Sequence, residues 1–407
     1  MHVFHKTGII IILLSLCSCI GRKDNQPLRL DQLEQQIKVE INNSKKQGRD
    51  EYLHLCQSAT LLFYNSDHKQ AVTFFEQAHQ WIESHYTKST SKIALAKILN
   101  ERVSLFRGHY LERYHFRLLA GINHLCLNNR EAALVEFRRL SREIRLSADP
   151  FGEKRSKQSL QQYSALTGLF FTLLKRGNEG SSDLKFAYDL NPKTFPKYLK
   201  NKYEAFILNK TKPSELASDK NGFIAKEKIL NLFITLSKSR HTLASNKISL
   251  TMLKYWPIIQ TEVEDHKNYN EIENIVLGSL GKRVISVSFA TPKVSDTIYA
   301  NESDFLDFNK LYNKSWQLQK TRLIKTTIYR VLLKLVAANA VAKAIESKSD
   351  NGWGQLLANI GRTLIWETEK ADLRVINYLP SLVEINWEWV DKDSDEYVIE
   401  WKDTLAK

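Results

Sequence analysis

Residues 101–145 read ERVSLFRGHYLERYHFRLLAGINHLCLNNREAALVEFRRLSREIR, and this stretch decides the fold. Two apolar stripes flank a short polar break at Leu127-Asn128-Asn129-Arg130. Before the break, Tyr114, Leu118, Gly121, Ile122 and Leu125 recur at helical intervals; after it, Ala133, Leu134, Phe137 and Leu140 do the same. Apolar residues three and four positions apart line one face of an α-helix, so the stretch predicts two antiparallel helices and a tight turn. Gly121 and Ala133 are small enough to let the two backbones approach closely. Phe137 then fills the wedge above them.

The same order of small and large residues recurs on both sides. Ala59, Ala71, Phe75 and Ala78 repeat it across a turn at Asn65-Ser66-Asp67. Gly168, Gly180, Leu184 and Ala187 repeat it again, and Leu190-Asn191-Pro192 closes that copy. A small residue, an alanine twelve positions later and an aromatic four after that form the core of the tetratricopeptide (TPR) pattern. Three copies are enough to stack a continuous core. Ala71, Ala133 and Gly180 lie 62 and 47 residues apart, wider than the roughly 34 of a simple repeat. Extra helices are therefore expected between copies, with one candidate at 91–106. A further helix is expected from Leu30, ahead of a Lys/Asn break at 43–48.

Beyond a Ser/Asp/Lys/Asn/Gly cluster with Pro213, the pattern changes. Residues 224–236 read as helix, 283–289 alternate as a strand ended by Pro292, and 321–346 form a long helix with a wide apolar face. Asn301 to Asp307 reads as a helix start. Residues 383–389 and 397–401 both alternate and are expected to pair as a C-terminal hairpin. Trp387, Trp389 and Trp401 would then share one face, either as core or as a platform for a glycan ring or partner chain. The expected fold is mainly α: a TPR-like α-solenoid over 30–199, a linker at 200–222, and an α+β C-terminal domain at 223–407.

Met1 to Ser18 carries Lys6, an apolar run from Ile9 to Leu16 and small residues, the make-up of a secretory signal and too short for a membrane span. It ends in Leu16-Cys17-Ser18-Cys19, which resembles the lipobox of bacterial lipoproteins. That resemblance implies cleavage before Cys19, a diacylglycerol on its sulfur and a fatty acid on the new amino terminus. A polar tether at 19–29 follows. Cys56 and Cys126 either pair in an oxidising compartment or stay as buried thiols. The 407 residues carry a formal charge of +14, with 43% hydrophobic residues. Such a surface suits anionic headgroups, wall polymers or acidic proteins. The secretory leader argues against nucleic acid.

Two further elements, RVISVSFATPKV at 283–294 and Ala371-Asp372-Leu373-Arg374 followed by Leu379-Pro380, join the segment from Glu101 to Leu140. In this order they resemble an uncharacterised family of bacterial TPR-containing cell-envelope lipoproteins. Ile376 stands where that family often has tryptophan. In its Gram-negative setting, the absence of aspartate after Cys19 implies the outer membrane, facing the periplasm. The resemblance supplies no catalytic residues and no cofactor.

Enzyme motifs are sparse. No G-x-S-x-G frames a nucleophile, and Gly352-Trp353-Gly354 is too sparse for a phosphate loop. His109, Glu112 and His115 have a ligand-like spacing on one helix, but no complementary set faces them, so no metal site is expected. Arg113, Tyr114, Arg117 and His124, with His115, are expected to line a basic groove that takes an extended acidic segment. Asp372 and Arg374 form either a structural ion pair or a ligand pocket. These readings point to a non-catalytic, membrane-anchored adaptor in an envelope assembly, one connected with peptidoglycan in the most specific version. The alternatives are a lipoprotein that binds an anionic glycan or lipid through its C-terminal domain and, less favoured, a hydrolase.

Overall fold

The computed structural model describes residues 30–86, 105–147, 149, 153–174, 176–196, 228–237, 243–251, 260, 270, 284–292, 305–346, 372–391 and 397–402. Among these the chain is mainly α-helical. The leader with Cys19, the linker at 200–222 and Gly352 to Gly354 lie outside the described residues.

Helix α1 (Leu30–Ser44) leads into three helical hairpins. They are α2 (Glu51–Tyr64) with α3 (His68–Tyr86), α4 (Tyr110–Cys126) with α5 (Arg130–Arg145), and α6 (Lys157–Leu173) with α7 (Gly177–Leu190). The first helix of each pair ends with the same hydrogen bond. Asp67 N–H donates to Leu62 O, Asn129 N–H to His124 O and Arg176 N–H to Phe171 O, at 3.0, 2.8 and 2.7 Å. This six-to-one closure of a helix end needs a left-handed residue just before it. Ser66 (φ 60°) and Asn128 (φ 54°) occupy that conformation. Asn129 then caps α5 by accepting the Ala132 N–H at 3.2 Å.

The small residues sit where the helices touch. A Cβ on Gly121 would lie 2.4 Å from the Phe137 ring, and one on Gly180 would lie 2.9 Å from Gly168 O. Ala59, Ala71, Ala78, Ala133 and Ala187 are fully buried. Aromatic pairs carry the packing from one hairpin to the next: Phe75 on Phe116 at 4.8 Å, then Phe137 stacked on Phe170 at 4.4 Å. Of the candidate helix at 91–106 only Leu105 and Phe106 are described, and neither is helical.

The later part contributes β1 (Lys228–Ser237), β2 (Leu243–Thr251), β3 (Val284–Pro292), β4 (Phe305–Asp307), α8 (Phe308–Glu346), β5 (Leu382–Asp391) and β6 (Tyr397–Lys402). Sheet order is β4-β5-β1-β6, with β2 and β3 as a separate antiparallel pair. Two expectations are corrected here. Residues 228–237 form a strand, not a helix, and β1 inserts between β5 and β6, so those two are not a hairpin. Both errors have one cause. The run Ile229-Leu230-Asn231-Leu232-Phe233-Ile234 is almost continuously apolar, and such a run fits a central strand or a buried helix equally well by period alone. Register places Trp389 opposite Leu230, Trp387 opposite Leu232 and Trp401 opposite Leu236. All three therefore share the parity of Val383 and Leu306, which are buried.

Helix α8 begins at Phe308, where the Asp307 carboxylate accepts the Lys310 N–H at 2.8 Å. Of the expected helix start at 301–307, residues 301–304 lie outside the described residues, and Phe305–Asp307 is a short strand whose last residue caps the helix. No helix among the described residues is long and apolar enough to cross a membrane. The core is continuous: Leu306, Phe308, Tyr312, Ile376, Leu379 and Val383 pack into the same cluster as the hairpins.

Candidate functional site

Helix α4 is the axis of the molecule. Every residue from Tyr110 to Leu125 is buried, including Glu112, Arg113, His115, Arg117, Asn123 and His124. A helix buried on all sides has to find an internal partner for each polar side chain, because an unpaired buried charge is strongly unfavourable.

Its N-terminus shows how this is done. Gly108 takes φ +66°, turning the chain so that His109 caps the helix. His109 Nδ1 accepts the Leu111 N–H at 3.3 Å, and Glu112 Oε2 accepts the His109 N–H at 2.7 Å, a reciprocal capping box. The other Glu112 oxygen accepts the Ile376 N–H at 2.7 Å. One buried carboxylate thus fixes both the start of α4 and a non-helical segment from far along the chain. Burial pushes the Glu112 carboxyl up to about 7.

Residues 372–381 lie across α2 and α4. Ile376 and Leu379 are fully buried. Arg374 grips Asp372 through two hydrogen bonds of 2.8 and 2.6 Å, donates to Asp50 at 2.6 Å and sits 5.6 Å over the Phe106 ring. Of the two readings of Asp372 and Arg374, the geometry shows the ion pair. The first turns of α8 close the same side. His109 Nε2 lies 2.9 Å from Gln319 Nε2 and 3.3 Å from Ser315 Oγ, and its ring packs 4.6 Å from Tyr312. Burial drives the His109 ring down to about 3, so it is neutral.

Arg113, expected in an open groove, is 2% exposed. It reaches Asp149 at 2.5 Å, Glu143 at 3.4 Å, Glu153 at 3.3 Å and the Gly108 carbonyl at 2.8 Å. Arg117 donates to the other Glu143 oxygen at 2.8 Å. Burial works to raise the Glu143 carboxyl, but the two guanidiniums outweigh it and hold it below the ordinary range. Tyr114 is fully buried between Tyr110 and Tyr163, and His124 is 8% exposed. The groove reading of Arg113, Tyr114, Arg117 and His124 is therefore corrected: they are interior groups. The sequence stripe showed a polar side to α4, which in an ordinary hairpin faces solvent; here Glu143 of α5, with Asp149 and Glu153 after it, covers Arg113 and Arg117.

The ligand-like trio also separates. Glu112 goes to backbone amides and His109 to α8, while His115 Nδ1 pairs with Tyr163 Oη at 2.8 Å. Among the described residues no three groups are arranged to hold a metal ion. Cys56 and Cys126 are free thiols.

Among the described residues, open concave surfaces lie elsewhere. A groove of about 680 Å³ runs between α5 and α7, with Arg138, Arg142 and Arg145 along one wall. A smaller cleft of about 490 Å³ lies beside Asp149, Glu153 and Lys154. The sequence reading missed Glu143, Asp149 and Glu153, the acids that neutralise the interior arginines, and Asp183, the buried partner of Arg145. Their one legible signal is that Glu143 follows Leu140 by three on the apolar stripe of α5. Comparison of the chain with models of known protein families, with curated proteins and with solved structures gives no match.

Proposed function

We propose that this chain is a membrane-anchored scaffold of the cell envelope that holds other proteins and catalyses no reaction. In this reading Cys19 carries the lipid and the anchor sits in the outer membrane on its periplasmic side. The three hairpins act as a TPR-like solenoid, and the later residues form an α+β domain docked on it. The observation that carries the reading is the seat for residues 372–381. An inner helix takes a non-helical stretch of chain by a main-chain hydrogen bond from Ile376, whose side chain is fully buried. That is how helical-repeat surfaces take peptides, here used within one molecule. Filling that face in cis joins hairpins and sheet into one continuous core, and a partner then has to use another face.

Purification of the full-length chain from crosslinked membranes tests this. A defined envelope protein should be recovered in amounts comparable to the bait and be absent from a lipoprotein control; recovery of the bait alone would count against a scaffold. Fatty-acid labelling tests the anchor, and should disappear in Cys19→Ala. The peptidoglycan connection predicts that the recovered protein acts on the cell wall.

A further inference from the structure

We infer that the groove between α5 and α7 is a docking site for an extended acidic segment of a partner protein, with Arg142 as the seat of a carboxylate. Arg138, Arg142 and Arg145 follow one another at helical spacing on α5, facing α7 across the groove. The outer two are already committed. Arg138 makes a bidentate pair with Glu179 at 2.8 and 2.7 Å. Arg145 donates to Asp183 at 2.6 and 3.1 Å and to Ser182 at 3.1 Å. Asp183 is 2% exposed and also accepts from Ser141 at 2.8 Å and Thr167 at 2.5 Å. Both groove carboxylates are thus saturated by the chain itself.

Arg142, between them, is exposed and makes no ion pair or hydrogen bond among the described residues. Three guanidiniums face two carboxylates, and the surplus charge sits in the middle of the groove. A second feature points the same way. Helix α7 starts at the groove, where Asn178 and Glu179 of its first turn are lining residues, and the Arg176 side chain at its N-cap makes no capping hydrogen bond. Uncapped amides and the positive end of the helix dipole favour an anion there. Phe171 and Leu146 add apolar surface, and the volume lies within the roughly 300–1,000 Å³ of ligand clefts. The mixture fits a peptide bearing carboxylates and apolar side chains. A phosphate dianion would meet Glu179 and Asp183 with twice the charge.

That the occupant is a protein rests on the scaffold reading; the carboxylate seat rests on the groove alone. The test is fluorescence anisotropy of the full chain with a labelled Glu- and Leu-containing peptide, with inorganic phosphate and phosphatidylglycerol vesicles as competing probes. Saturable, salt-sensitive peptide binding is expected, weakened about five- to tenfold in Arg142→Ala and lost in Arg142→Glu. Glu179→Gln frees Arg138 and should tighten binding several-fold, a gain that misfolding cannot imitate. Binding indifferent to both Arg142 and Glu179, or a preference for phosphate or vesicles over the peptide, overturns the inference. If the peptide binds as expected while no envelope protein co-purifies, the scaffold reading alone fails.

Discussion

Replacing Gly121 with alanine should destabilise the protein, although alanine is the better helix former. In an open helix the exchange gains about 1 kcal/mol from backbone entropy. Here the added Cβ would stand 2.4, 2.7 and 2.9 Å from three atoms of the Phe137 ring. The ring has to retreat by about 1 Å to reach ordinary contact. It has nowhere to go, since Phe137 is fully buried and stacked at 4.4 Å on Phe170, itself fully buried. Overpacking of this kind costs roughly 1–3 kcal/mol or more. With both rings hemmed in, the cost falls at the upper end; set against the helix gain, a net loss of about 1–2 kcal/mol is expected, or a melting temperature lower by roughly 2–8 °C at most. Urea denaturation followed by circular dichroism reads it directly. In the double variant with Phe137→Leu, the clash is relieved and the losses should be clearly less than additive. A Gly121→Ala protein as stable as the wild type, or more stable, would mean that α4 and α5 do not approach at this point.

Further outcomes follow from the same interior. Arg113→Ala strands Asp149, whose side chain is 1% exposed, and leaves Glu143 with Arg117 alone; it should cost about 3–5 kcal/mol in urea denaturation, and adding Asp149→Asn should recover part of it. His109 is held at about 3 against an ordinary 6.5, so the unfolded chain takes its proton first and stability falls as pH drops from 6.5 toward 3. Glu112, raised from 4.5 to about 7, acts in the opposite sense, its contribution declining as pH rises through that window. His109→Asn keeps a capping side chain and removes the titration, so the variant should lose less stability than the wild type between pH 6.5 and 5. Arg374→Ala breaks the contacts to Asp372 and Asp50 from a side chain only 12% exposed; a loss of about 1–2 kcal/mol and faster proteolysis within 372–381 are expected, with the helical signal intact.

The hairpins were legible because their reading depends on local spacing. Gly121, Ala133 and Phe137 declare a close helix crossing, and Asn128 declares a left-handed turn, whatever the rest of the chain does. The strand β1 was not legible, because Ile229 to Ile234 has no period to distinguish a central strand from a buried helix. The candidate site misled for a related reason. Arg113 and Arg117 mark a polar side of α4, and whether such a side meets water depends on where the fold places the carboxylates of Glu143, Asp149 and Glu153. The arginine that does meet solvent, Arg142, looks in sequence like its neighbours Arg138 and Arg145. Only the placement of Glu179 and Asp183 on α7 separates it from them.

The account turns on the non-helical segment held against α4, and amide hydrogen exchange at Ile376 tests it most directly. Its N–H is bonded to a carboxylate that is 1% exposed, so it should exchange as slowly as the amides in the middle of α4. In Glu112→Ala, exchange across 372–379 should accelerate by orders of magnitude while α6 and α7 stay protected. Rapid exchange at Ile376 in the unaltered protein would show that the segment is not seated there, and the reading of α4 as a surface built to hold chain would go with it.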